Sequence, residues 1–181
     1  EIDILILVSW FGLIFDGLAL SYRFVAGENW NVAGGCIQGD GQHSFKSIGK
    51  NQRMVWDLPF EVTFRSMNPH GWPQLVLYCT HKDKDGDEFV QAYGCTHMPI
   101  QPGSHKKTVR MFSPIEKNKC AEFFGFYWPS RGMVVDNTEL IAKAYGREIA
   151  RVAGGGKVTI SVNVTERNME KHGYVSTVVR K

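Results

Sequence analysis

The chain has 181 residues and a mass of 20.4 kDa, the usual size of one domain, and is expected to form a single domain over 1–181. Hydrophobic residues make up 43% and charged residues 22%, a balance that excludes a disordered or collagen-like chain. Lys plus Arg is 21 against 18 for Asp plus Glu, so the formal charge of +3 excludes nucleic-acid binding driven by overall charge, and any basic partner surface must be local.

From Ile4 to Phe15 the sequence is apolar apart from Ser9 and Gly12. A membrane helix needs about 20 such residues, and Glu1 and Asp3 stand where a secretory signal would carry positive charge. The run reads instead as a strand buried on both faces, with Asp16-Gly17 as its turn and a second strand over Leu18 to Val25. Ala33 to Lys50 carries five glycines with Asp40, Ser44 and Ser47, which reads as a long polar connection. Phe60 to Arg65 alternates apolar and polar residues, the mark of a half-buried strand, and Asn68-Pro69-His70-Gly71 follows as a turn. Leu75 to Cys79 and Glu88 to Tyr93 flank the charged loop Lys82 to Asp87, predicting a hairpin whose Asp85-Gly86 supplies the tight turn.

Gln101 to Ser104 marks another turn, and Lys107 to Phe112 another strand. Ser113-Pro114-Ile115-Glu116 has the form of a helix start, with a serine cap, a proline in the first turn and a glutamate three residues on. Cys120, Phe123, Phe124, Tyr127 and Trp128 then fall on one helical stripe, and a second short helix is expected from Asp136 with Glu139 closing a similar box. Gly154-Gly155-Gly156 separates Arg147 to Val152 from Val158 to Val164, the clearest alternating strand in the chain. The sum is an all-β protein: an antiparallel β-sandwich of about eight strands with one or two short helices in the connections.

Cysteines at 36, 79, 95 and 120 are too sparse for a disulfide framework and read as thiols in a reducing compartment. Cys79, His81, Cys95 and His97 have the ligand types of a zinc site. A hairpin turning near Asp85, however, sets Cys79 opposite residue 91 or 92 and leaves Cys95 about 10 Å further along. Asp83, Asp85 and Asp87 alternate like calcium ligands, but the glycine is misplaced for an EF-hand, so they stand as a weak calcium candidate at most. His105, Lys106, Lys107 and Arg110 form the densest basic stretch; on a strand Lys106 shares a face with Thr108 and Arg110 while Lys107 points the other way. Such a group could meet an anionic membrane surface weakly. No phosphate loop, nucleophile elbow or zinc-protease motif is present, and no catalytic residues are assigned.

The run Asn68-Pro69-His70-Gly71-Trp72-Pro73-Gln74-Leu75 resembles the signature of the B9 domain family, the Meckel-syndrome family of ciliary proteins. Upstream, Val25 to Trp30 and Val55 to Pro59 fit the same pattern. Downstream, Tyr93-Gly94, His97-Met98-Pro99, Pro102 to Lys106, Gly146-Arg147-Glu148 and Lys171 to Tyr174 follow in the expected order. The likeness covers roughly 20–175, with 1–19 an N-terminal strand region outside it. It implies a C2-like sandwich without enzymatic activity or cofactor. It also implies a scaffold role in the complex at the ciliary transition zone and basal body, on the cytoplasmic side, gating entry of membrane proteins. The implied partners are two other B9 paralogues and membrane-spanning proteins, with an anionic membrane as an alternative contact. Trp72, Lys106, Lys107 and Arg110 are the candidate contact residues.

Overall fold

The computed structural model describes residues 2–11, 16–48, 53–83, 85–114, 139–142 and 151–169, with side chains at all of these except 2–11 and 139–140. Among the described residues there are ten strands: β1 (Ile2–Phe11), β2 (Leu18–Val25), β3 (Asn31–Gly35), β4 (Gln38–Ser44), β5 (Met54–Trp56), β6 (Glu61–Arg65), β7 (Gln74–Lys82), β8 (Glu88–His97), β9 (Gly103–Pro114) and β10 (Val152–Glu166). A short helix, α1 (Glu139–Ala142), is also described. Every pairing is antiparallel, in the order β3-β6-β1-β10-β9-β8-β7-β2-β4, with β5 beside β1.

The sheet curls over at its weakest seam. β9 and β8 share a single register pair, Tyr93 opposite Phe112, whereas β9 and β10 are paired along almost their whole length. On one side of the seam lie β3, β6, β1, β5, β10 and β9; on the other lie β8, β7, β2 and β4. The two halves face each other across one core. Leu20, Leu75, Leu77 and Cys79 from the smaller half meet Met54, Val62, Phe64, Val158 and Ile160 from the larger, all buried. Period-two alternation makes this possible, because each strand offers one apolar face; truncating one such aromatic, Phe64, would cost about 3–5 kcal/mol. Trp56 on β5 also reaches across, its Nε1 donating to the Leu18 carbonyl at 2.9 Å. The expected all-β sandwich is the observed fold.

The second half is apolar on its outer face as well. Val76 and Tyr93 are buried there with Ile141 and Ala142 of α1, and Tyr78, Val90 and Phe112 pack around them. β7 is therefore covered on both sides, and helix at Glu139 agrees with the box read there, while Asp136 lies outside the described residues.

Four local expectations are corrected. The glycine-rich stretch from Ala33 is not a loop: it forms β3, ending at Gly35, and β4, the two terminal strands of the sheet order. Edge strands with mostly exposed side chains carry no apolar alternation to read, and here glycine is a packing requirement, since a Cβ on Gly35 (φ +82°) would sit 2.1 Å from the Glu61 carbonyl oxygen. β1 and β2 are not hairpin partners, because β1 pairs with β10, β6 and β5 while β2 pairs with β7 and β4. Asp16-Gly17 instead turns the chain toward the other half; Asp16 Oδ1 accepts from the backbone N–H groups of Gly17 and Lys46. Ser113 and Pro114 are the last residues of β9, so the proline does not stand at a first helical position, and Ser113 Oγ donates to the Gln91 carbonyl of β8. Residues 115–128, including the aromatic stripe, lie outside the described residues. Finally, the triple glycine does not separate two elements, because β10 runs through it with a bulge between Gly154 and Gly156.

One end of the sandwich is held by a backbone contact that only glycine allows. Gly27 N–H donates to the Gly71 carbonyl at 2.8 Å, and a Cβ placed on Gly71 (φ +74°) would lie 2.6 Å from Gly27 Cα. Gly71→Ala combines a left-handed backbone with that overlap, so a loss of about 3 kcal/mol and a Tm drop of roughly 10 °C are expected. Gly154→Ala, with nothing within 4 Å of its Cβ, is the control and should move Tm by no more than a degree or two, about 0.5 kcal/mol. Differential scanning calorimetry of both variants checks the contrast.

Candidate partner-binding site

The residues of the Asn68 to Leu75 run converge on that glycine contact. Asn68 Oδ1 accepts from His70 N–H at 3.0 Å and Ser66 Oγ donates to the Asn68 carbonyl at 2.7 Å, so the turn is closed by its own side chains. Trp30 Nε1 donates to the His70 carbonyl at 3.0 Å, Trp72 Nε1 to the Met98 carbonyl at 3.1 Å, and Met98 N–H returns a bond to Pro73. The two indoles meet edge to face, 5.2 Å between ring centres. From there aromatic contacts continue inward: Trp30 on Phe64, Phe64 on Phe24, Phe24 on Phe60, and Phe60 stacked on Tyr22 at 3.8 Å. The loops at this end are thus tied directly to the core.

Between Trp30 and Trp72 on one side, the 65–69 turn and the 167–169 segment, lies a cleft of about 340 Å³. It adjoins a shallower groove of about 630 Å³ lined by Val32, Asn31 and Glu28, with Arg65 and Met67 common to both. Met67 is 87% exposed at the rim. Of the predicted contact residues, Trp72 is here, half-buried, with its donor already used.

The basic residues lie elsewhere and divide as the alternation required. Lys106 and Arg110 are exposed on the outer face of β9, on either side of Thr108. Lys107 faces the opposite way, half-buried, and its Nζ donates to the His97 carbonyl of β8; desolvation pushes its pKa below the usual lysine value. It closes the gap where β9 and β8 diverge and does not belong to the surface group. The register supplies a cation that sequence order hid: Lys157 on β10 is directly opposite Arg110, and Ser161 is opposite Lys106. Thr108 and Thr159 hydroxyls are 3.4 Å apart between these two rows. Lys157 lies 47 positions from Arg110 in sequence, and the partner register of two strands was the one signal that could have found it.

Asp83, Asp85 and Asp87 occupy the β7–β8 turn, closed by backbone bonds between Asp83 and Asp87 and between Gly86 and Asp83. Asp40 is not beside them; its Oδ1 accepts from Tyr78 OH at 3.4 Å. Among the described residues no three His, Cys, Asp or Glu side chains are grouped to hold a metal. Cys79 is opposite Ala92 and Cys95 opposite Val76, the offset anticipated for this hairpin. Cys79 is fully buried among apolar side chains, which raises its thiol pKa far above the usual range, whereas Cys36 is exposed. Iodoacetamide should therefore alkylate Cys36 in the native protein and leave Cys79 unmodified until denaturant is added, as read by peptide mass spectrometry.

The chain is thus an all-β sandwich whose loops at one end lock onto one another through glycine and tryptophan. The profile described as "Ciliary basal body-associated, B9 protein" matches residues 13–165, and the chain belongs to this B9 family. It is similar to B9 domain-containing protein 1 of Xenopus laevis (38% identical over 160 residues, 88% of this chain and 80% of that one) and of Homo sapiens (39% over 160 residues, 88% and 78%). It is 24% identical over 162 residues to human B9 domain-containing protein 2, covering 90% of each chain.

Proposed function

We propose that this chain is a non-enzymatic scaffold subunit of the Meckel-type complex at the ciliary transition zone. In this reading it sits on the cytoplasmic side of the cilium base and associates with two B9 paralogues and with membrane-spanning proteins. The supporting observation is family membership over 13–165, with likeness to both B9 domain-containing protein 1 and B9 domain-containing protein 2. The fold is consistent with it, since the signature residues are used to hold loops at one end of the sandwich. Co-expression with the two paralogues and purification through a tag on this chain alone should yield a stoichiometric assembly by light scattering. A lone monomer would remove the main support.

One observation favours a second reading, contact with an anionic membrane. Arg110 and Lys157 are like charges directly opposite each other, an arrangement that costs stability in an isolated sheet and is relieved by a bound anion. With Lys106 they span about 13 Å of the outer face. Replacing Lys106, Arg110 and Lys157 together by alanine should lower partition onto phosphatidylserine vesicles by roughly 100-fold, at about 1 kcal/mol per basic residue. Lys107→Met should leave it unchanged, because that ammonium is turned to His97. Vesicle flotation measures both, and equal binding by the triple variant would eliminate this reading.

A further inference from the structure

We infer that the cleft between Trp30, Trp72 and the 65–69 turn is a docking site for an acidic, apolar-flanked segment of a partner protein, held at Arg65. This deepens the association reading above and rests on it. Among the described residues, the lining of the tighter cleft includes the exposed Arg65 and no aspartate or glutamate, so its charge calls for an anionic occupant. Both indole N–H groups are spent on backbone carbonyls, so the tryptophans contribute apolar ring surface and no donors. Polar recognition is left to the guanidinium fork of Arg65, which suits a carboxylate, and the exposed Met67 beside it is a side chain that adapts to varied apolar neighbours.

The tryptophan side of the cleft is fixed before anything binds. The Gly27–Gly71 bond, the Asn68 turn and the two tryptophan hydrogen bonds hold the lining loops, which lowers the ordering cost of association. The cleft adjoins a second groove lined by Glu28, Asn29, Asn31 and Val32, with Arg65, Ser66, Met67 and Asn68 common to both, so the combined surface suits an extended chain better than a compact small molecule. Glu28, the acidic residue among the described lining of that groove, is absent from the lining of the tighter cleft, so the occupant's carboxylates belong near Arg65 and an uncharged or basic residue near Glu28.

The test is selection of a phage-displayed library of random short peptides on the intact chain. The enriched sequences are then synthesised and their binding is measured by fluorescence anisotropy. Enrichment of an Asp or Glu next to an apolar residue is expected. Binding should fall by ~10-fold or more in Arg65→Glu, the loss of a charge-assisted pair, and also fall in Met67→Asp, while Arg65→Lys retains part of it. Both positions are exposed, and an unchanged Tm confirms that the variants fold. No enrichment, enriched sequences without acidic residues, or equal binding by Arg65→Glu would overturn the assignment. So would binding lost only in the Lys106, Arg110 and Lys157 triple variant, which would move the acidic partner to the outer face of β9 and β10. The peptide readout does not depend on the paralogue co-purification, so failure of the scaffold reading and failure of this site are separable.

Discussion

Two glycines, 27 and 71, bring their backbones into direct contact, and the order of one whole end of the sandwich follows from that approach. The contact fixes the loop before Trp30 against the turn before Trp72, which lets the two indoles meet and find carbonyl acceptors. Through Phe64, Phe24 and Phe60 the same contact is coupled to the core, so the loops share the rigidity of the packed interior. A cleft with one side held by these contacts is the consequence, and Arg65 brings positive charge to its lining. The residues that resemble a family signature are thus fold-defining first. Their role in any partner contact is to shape a surface on which other residues make the contacts.

Pairing is uneven, and the unevenness organises the rest. β10 is hydrogen-bonded along its length to β1 on one side and β9 on the other, while β9 touches β8 through one register pair. A sheet whose pairing thins to one register pair at one seam curls there, and burial of Leu20, Leu77, Phe64 and Ile160 between the halves offsets the curl. Lys107 fits this account. A lysine at a position whose alternation points inward cannot keep its full hydration, so it reaches the nearest open carbonyl at His97 and closes the divergence.

Sequence alone determined the strands with clean alternation, such as Phe60 to Arg65 and Val158 to Val164, because period two is written residue by residue and does not depend on the neighbour. It also separated Lys106 and Arg110 from Lys107, and offset Cys79 from Cys95, for the same local reason. The family resemblance rested on contiguous runs and was likewise legible.

What only the tertiary structure decided was set by contacts between distant segments. The glycine-rich stretch after Asn31 became β3 and β4 because β6 and β2 offered it backbone partners, and Ser113 and Pro114 belong to a strand because Ala153 and Val152 of β10 pair with them. Lys157 joined Arg110, and Arg65 joined Trp30 and Trp72, through register and curl, neither of which is encoded in the spacing of any single segment. Local pattern fixes which way a side chain faces, whereas the residues it faces depend on how the whole sheet closes.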